Sequence, residues 1–202
     1  MDLFKQQSIP LMLTPERTSD LVLWPNWLDH QGADALLDTA IAKTPWRADI
    51  IRIVGKALPI PRLQNWFGEP GTSYTYSKIC LPAVAFPPWM ESLRLAVEAE
   101  TRQRFNRALV NYYRNGRDSV DWHADDEASL GFEPIIASLS LGAERVFQLR
   151  HNHTKQRVAI NLPHGSLLLM NAGIQSYWQH RIAKVAKLEE PRVNFTFRLM
   201  DG

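Results

Sequence analysis

Cysteine occurs once, at Cys80, which excludes an intramolecular disulfide and fits a reducing compartment. Long apolar runs are absent: no segment approaches the roughly 20 apolar residues a membrane-spanning helix needs. Lys5, Pro10 and Pro15 interrupt the first fifteen residues, so no apolar leader is expected there. A dominant sign of charge is also missing. The formal balance is +2 over 202 residues, so total charge alone does not imply a nucleic-acid partner. Internal repeats and low-complexity linkers are lacking as well, and no long apolar stripe is left over for self-association. These absences predict a soluble, intracellular, monomeric protein of one domain. A hydrophobic content of 45% with 22% charged residues suits a globular chain with a real core.

What charge there is comes in runs. Arg102, Arg104, Arg107, Arg114 and Arg117 follow one another without an acid between them. Arg145, Arg150, Lys155 and Arg157 form a second group with His151 and His153, and Arg181, Lys184 and Lys187 a third. Such runs are solvated faces or phosphate-binding tracks, and sequence alone leaves both readings open.

Residues 1 to 26 contain prolines and read as an irregular, extended arm. From Asp29 to Lys43, Ala33, Leu36, Leu37, Ala40 and Ile41 recur at helical spacing, with Pro45 just beyond. Asp49 to Val54 and Ile60 to Gln64 read as strands joined through Gly55-Lys56-Ala57-Leu58-Pro59 as a hairpin. Trp66 to Gly71 reads as loop and Tyr74 to Tyr76 as a short strand. A second helix is entered through Pro87 and Pro88 and runs over Trp89, Leu93, Leu95, Ala96 and Val97. After Phe105 the pattern changes to short runs punctuated by Gly, Asn or Pro. They are Leu109 to Tyr113, Ser119 to His123, Ile135 to Leu141, Arg145 to Leu149, Gln156 to Leu162, Ser166 to Met170, Tyr177 to Ile182 and Arg192 to Leu199. About eight strands at this spacing predict a sandwich or jelly roll behind an α/β N-terminal third.

The last strand carries the most chemistry. Side chains alternate along a strand, so Arg192, Asn194, Thr196 and Arg198 share one face and Val193, Phe195, Phe197 and Leu199 the other. Two arginines six positions apart stand about 20 Å from each other at ~3.3 Å per residue. Their planar forks suit carboxylates. Such a face requires either solvent or a polar interior. Upstream, His123 and Asp125 lie two apart, and His180 follows 55 residues later, far enough to come from another strand. Two imidazoles and one carboxylate match the facial triad of a non-haem Fe(II) site. On its own the segment from Asp121 to Glu127 also reads as a solvated acidic loop. Asn111 and Tyr113, two apart on one strand face, offer an amide and a phenol to the same neighbourhood.

The chain from about Asp49 onward resembles the AlkB family of Fe(II)- and 2-oxoglutarate-dependent dioxygenases, nearest the branch that repairs alkylated nucleic acid. The matching motifs are Asn111-Tyr112-Tyr113, His123-Ala124-Asp125-Asp126-Glu127, Ile136 to Gly142, Pro163 to Met170, Trp178-Gln179-His180 and Arg192 to Arg198. The resemblance implies a mainly β fold with α elements: a double-stranded β-helix (jelly-roll) core under an N-terminal α/β nucleotide-recognition lid. Its division would be 1–28 as arm, 29–104 as extension and lid, and 105–202 as catalytic core. It implies that His123, Asp125 and His180 hold Fe(II). Arg192 would grip the distal carboxylate of 2-oxoglutarate and Arg198 help hold its chelating end, with Asn111, Tyr113 and Asn194 adding hydrogen bonds. With O2 as co-substrate, N-methyl groups of N1-methyladenine or N3-methylcytosine type would be removed from DNA or RNA, releasing formaldehyde, succinate and CO2.

A buried metal demands an extruded base. By the same resemblance Tyr76 would stack on that base, His123 cover its other face, Tyr74 touch the nearby backbone, and Asp126 or Glu127 meet its positive charge. Arg62 corresponds to a backbone-contacting arginine. Lys56, Arg145, Arg150 and Lys155 are further phosphate candidates. The chain departs from duplex-acting relatives at Val54, where they carry a bulky aromatic wedge. Two rival readings stand: an oxygenase of the same architecture acting on protein or lipid, and a non-catalytic nucleic-acid-binding jelly-roll module. The first would not need the basic runs or Tyr76; the second would not need a complete triad with both arginines.

Overall fold

The computed structural model describes residues 6–53, 56–69, 73–76, 79–82 and 84–200, with side chains described for all of these except 51–53, 56, 73–76 and 79–82. The chain opens with strands β1 (Gln7–Thr14) and β2 (Arg17–Trp24), then helix α1 (His30–Lys43). Strands β3 (Ile50–Ile53), β4 (Lys56–Pro59), β5 (Leu63–Gly68), β6 (Ser73–Tyr76), β7 (Ile79–Pro82) and β8 (Val84–Ala85) lead to helix α2 (Pro88–Thr101). The second half is strand-rich: β9 (Arg107–Tyr113), β10 (Val120–His123), β11 (Ile136–Gly142), β12 (Arg145–His151), β13 (Arg157–Leu162) and β14 (Ser166–Met170). A short helix α3 (Ile174–Tyr177) precedes β15 (Trp178–Ile182), and β16 (Arg192–Arg198) comes last.

An eight-stranded major sheet runs β1-β2-β14-β11-β16-β9-β5-β8, and a four-stranded minor sheet runs β10-β15-β12-β13. Among the described residues of the major sheet only the β5–β8 pair is parallel. Two cores flank the major sheet. On one side Val193, Phe195 and Phe197 pack with Ala137, Leu139 and Leu167 beneath α1 and α2, through Ala33, Ala40, Met90, Leu93 and Val97. Phe195 and Phe197 are wholly buried, each contributing roughly 1.5–3 kcal/mol of transfer free energy. On the other side Tyr113, Ile136, Leu168 and Met170 meet Phe147, Leu149, Trp178 and Ile182 of the minor sheet. Of the sandwich and jelly roll that the strand spacing allows, this is the jelly roll, the double-stranded β-helix that the resemblance implies. The even-numbered face of β16 lies between the sheets, so of the two environments its arginines allowed, the polar interior is the one realised.

All eight predicted strands of the second half are present within a residue or two. Both predicted helices form: Asp29 caps α1 by accepting from the Gly32 amide at 2.7 Å, and Pro88 begins α2. The N-terminal third needs three corrections. The expected irregular arm is a β-hairpin from Gln7 onward, with Leu11, Leu13, Leu21 and Leu23 buried at period two. Pro10 is accommodated because β1 is an edge strand, where a residue without an amide proton is tolerated. Lys56–Pro59, expected as a turn, is strand β4, paired with β3 so that Ile53 faces Lys56. The expected loop from Trp66 instead continues β5 to Gly68, where Trp66 and Phe67 are buried against β9. No helix among the described residues is long and apolar enough to cross a membrane.

Candidate active site

Antiparallel pairing of β10 with β15 sets His123 directly opposite His180. The two rings meet edge to face, centroids 4.3 Å apart, and Phe147 closes on His180 at 5.0 Å. Asp125 sits just past the end of β10, its amide donating to Gln175 Oε1 at 3.0 Å. One ligand atom from each of His123, Asp125 and His180 lies within 4.8 Å of the others, and Asp125 and His180 are buried. His123 Nδ1 is 2.7 Å from the Asp121 carbonyl oxygen. A carbonyl only accepts, so Nδ1 bears the proton and Nε2 keeps its lone pair for a metal. The donor set fits a divalent iron.

Electrostatics prepare these groups. Burial pushes the Asp125 carboxyl up, but the charges of Arg198, His180 and His123 and the Arg198 hydrogen bond outweigh it, leaving its pKa at about 2. Burial first, then the charge of His123, pushes His180 down to about 3 against the pull of Asp125. At neutral pH the trio therefore presents an anionic oxygen and a neutral His180 imidazole.

The sign of the resulting acid sensitivity follows from linkage. Between pH 6.5 and about 3 the unfolded chain protonates His180 while the folded metal-free protein does not. Stability is therefore fully present above pH 6.5 and falls as pH drops through that window, by at most ~1.4 kcal/mol per pH unit from this group. Thermal melts of chelator-treated protein from pH 8 to 4 should show this decline, and His180→Gln should flatten it.

Arg192 and Arg198 project from β16 toward the trio's side of the sheet. Arg198 Nη2 donates to Asp125 Oδ1 at 2.5 Å, and its guanidinium lies over Trp66 at 5.0 Å. Arg192, 2% exposed, donates from Nη2 to Ser140 Oγ at 2.9 Å and lies 5.1 Å from the Tyr113 ring. Its Nε and Nη1 are buried without a hydrogen-bond partner, and it makes no ion pair among the described residues. Burial, opposed by Tyr113 and aided by the like charge of Arg145, pushes Arg192 down to about 10, so it remains a cation. A buried cation with idle donors fits an anion supplied from outside the chain. Asn194 beside it donates to Ser138 Oγ and the Leu139 carbonyl, both at 2.9 Å.

One cavity of about 750 Å³ joins these groups, and Asn111, Tyr113, His123, Asp125, Asp126, Glu127, His180, Arg192, Asn194 and Arg198 all line it. Trp66, Leu109, Phe147 and Met170 supply apolar wall. Arg62, expected on a nucleic-acid backbone, borders this cavity and donates from Nε to Asn111 Oδ1 at 2.8 Å and from Nη1 to the Ser119 carbonyl at 3.3 Å. Arg145, a phosphate candidate from sequence, is buried and bonded to the Asp118 and Ala183 carbonyls. Its alternation with Phe147 and Leu149 points it between the sheets. Val54 lies outside the described residues, as do the side chains of Tyr74, Tyr76 and Lys56.

Sequence reasoning missed Gln175, Ser138 and Ser140, which hold Asp125, Asn194 and Arg192. The two serines could have been found, since they alternate with Ala137, Leu139 and Leu141 along β11. Gln175, on a helix of four residues, carries no such signal. A second trio, His30, Asp34 and His164, also has ligand-like spacing. There the Gly142 amide donates to His164 Nδ1 at 2.7 Å, so Nε2 carries the proton and faces Asp34 Oδ1 at 3.2 Å. That arrangement ties α1 to the turn before β14 and leaves His164 no lone pair for a metal.

Comparison with known proteins agrees with this geometry. The family profile of the 2OG-Fe(II) oxygenase superfamily matches residues 20–198. The alpha-ketoglutarate-dependent dioxygenase alkB homolog 3 of Homo sapiens is 41% identical over 198 residues, spanning 93% of this chain and 68% of that protein. Its Mus musculus counterpart is 40% identical over the same shares. The DNA oxidative demethylase ALKBH2 of Homo sapiens is 38% identical over 156 residues, 73% of this chain and 60% of that protein. The solved structure of OsALKBH1 superposes with a TM-score of 0.62 at 17% identity, over 89% of this chain and 97% of that one, a likeness of fold.

Proposed function

The chain belongs to the 2OG-Fe(II) oxygenase superfamily and within it to the AlkB family, and from that membership we propose that it removes methyl groups oxidatively from N-alkylated bases of DNA or RNA. Its substrates are bases of the N1-methyladenine and N3-methylcytosine type. The observation that carries the reading is the union, in one cavity, of the His123–Asp125–His180 trio with the buried, unmatched cation of Arg192. Fe(II), 2-oxoglutarate and O2 supply the oxidation of a methyl C–H bond, with succinate and CO2 as co-products.

The protein's own contribution is placement. His123 and His180 present imidazoles and Asp125 its carboxylate to the metal, and Arg198 keeps that carboxylate ionised and aimed. Arg192 takes the distal carboxylate of 2-oxoglutarate through its idle donors, while Asn111, Asn194 and Tyr113 fix the orientation of the co-substrate. The apolar wall excludes water. Asp126 and Glu127, at the same cavity, complement the positive charge that N-methylation gives adenine or cytosine. Tyr76 is assigned to stack on the extruded base, worth roughly 1–3 kcal/mol, and Tyr74 to the adjoining backbone. Oxidation converts the methyl to a hydroxymethyl group, which collapses to formaldehyde and the unmodified base.

Protein supplied with Fe(II), 2-oxoglutarate and O2 should release formaldehyde from oligonucleotides carrying N1-methyladenine or N3-methylcytosine, with loss of the methyl mass. His123→Ala should give none. Running single- and double-stranded forms side by side measures whether the chain works on duplexes with valine at position 54. Intact oligonucleotides alongside succinate formation and demethylation of a methylated peptide would overturn the nucleic-acid reading.

A further inference from the structure

Resting on the nucleic-acid reading above, we propose that Arg150, Trp122 and Arg181, on the outer face of the minor sheet, form a built site for the phosphodiester backbone of the single strand flanking the target base. Along β12 and β15 the inward positions are buried, while Gln148, Arg150, Gln179 and Arg181 occupy the alternate, outward positions. Arg150 pairs across the ladder with Gln179, and Arg181 with Gln148. Both guanidiniums lie over the indole of Trp122, each carbon 4.5 Å from the ring centroid.

The partners of these arginines identify the ligand. Arg150 Nη2 donates to Gln179 Oε1 at 2.8 Å, and Arg181 Nε to Gln148 Oε1 at 2.7 Å. These acceptors are neutral amides. Neither arginine forms an ion pair among the described residues. The nearest acid in sequence, Asp121, accepts the Trp122 amide at 2.8 Å. Two like charges are thus ordered on one ring with no ion-paired acid among the described residues, and the indole holds their planes. Such ordering raises the cost of leaving them unmatched and lowers the cost of gripping an anion.

Position selects which anion. Trp122 adjoins His123 in sequence, and Trp122, Arg181 and Lys184 border the cavity that holds the metal trio. A base entering that cavity has its sugar–phosphate neighbours at the mouth, where these cations stand. Phosphate contacts position a strand without reading its sequence, which matches a site built of guanidinium planes and no base-reading edge.

The test compares holoenzyme with Arg150→Gln, Arg181→Gln and the double variant. Substrates are a short single-stranded oligonucleotide carrying N3-methylcytosine and the matching methylated nucleoside 5′-monophosphate, which is too small to reach the outer face. KM for the oligonucleotide should rise about tenfold per guanidinium relative to that for the nucleotide. The slope of log affinity against log salt, from fluorescence anisotropy, should fall in magnitude by about 1.4 in the double variant. Arg150→Lys with Arg181→Lys, which keeps both charges, should retain most of that slope. Trp122→Leu, which removes the seat but no charge, should raise oligonucleotide KM while leaving the slope near its parent value; these two variants carry the test if the glutamine pair fails to fold. An unmoved slope, or an equal KM rise for both substrates, would overturn the site while leaving demethylation standing. A reduced slope with no demethylation of either substrate would keep the site and sink the demethylase reading.

Discussion

Asp125→Ala should reduce formaldehyde release to the level of metal-free protein, the largest effect expected of any single substitution here. The carboxylate serves two partners. It supplies the only anion of the metal trio, and it neutralises Arg198, whose Nη2 lies 2.5 Å away with both residues almost wholly buried. Removing it takes away a metal ligand and one partner of a buried ion pair, a loss that costs about 3–5 kcal/mol. Loss of activity should therefore come with a clear drop in melting temperature. His123→Ala separates the two effects. His123 is only partly buried and pairs with a carbonyl, so turnover should vanish with a much smaller change in stability. Formaldehyde assays and thermal melts on both variants decide the matter. Retained turnover in either would remove that residue from the iron site, and an unchanged melt for Asp125→Ala would mean that Arg198 has another counter-charge.

Arg192→Met should separate stability from function in the opposite direction. The side chain is buried, its Nε and Nη1 have no hydrogen-bond partner, and it lies near the like charge of Arg145. In the co-substrate-free protein it is a liability, and exchange of a buried, unmatched ion for an apolar group of similar length is neutral or stabilising. The melting temperature without 2-oxoglutarate should stay level or rise. With 2-oxoglutarate held as proposed, the same guanidinium would make charge-assisted contacts with a carboxylate, each worth about 1.5–3 kcal/mol. KM for 2-oxoglutarate, read from succinate formation, should thus rise by about two to three orders of magnitude. 2-Oxoglutarate should protect the parent against heat and fail to protect the variant. A sharply lower melting temperature with unaltered KM would make Arg192 a structural cation.

Much of this arrangement is legible in the chain because a strand encodes its two faces separately. The alternation of Arg192, Asn194, Thr196 and Arg198 with Val193, Phe195 and Phe197 names both faces of β16. What sequence cannot supply is what covers each face. The minor sheet that encloses the arginines is assembled from segments as distant as Val120 and Ile182. The same limit explains the basic residues. Arg107 and Arg145 sit in runs that resemble a solvated surface, yet both are buried, because their strands are central and alternation turns them inward. Trp122 carries a weaker signal in sequence than its neighbours His123 and Asp125. Its role depends on Arg150 and Arg181, which meet it only across the ladder. The N-terminal hairpin was hidden by Pro10, whose cost vanishes at a sheet edge.

That hairpin has a consequence for how the polypeptide is made. The Met12 carbonyl accepts from the Trp178 indole across 166 residues of chain, and the Leu13 carbonyl faces His151 Nε2 across 138. β2 docks on β14, so these first strands find their places only after most of the sequence has been synthesised. On the ribosome the leucines of β1 and β2 emerge before β14 and β15 and must wait, apolar and with open strand edges, for partners not yet translated. Contacts of such long range slow folding and expose the nascent chain to mispairing. The segment whose prolines suggest an irregular arm is the one whose burial closes the fold, and its leucines are the last apolar side chains to find their cover.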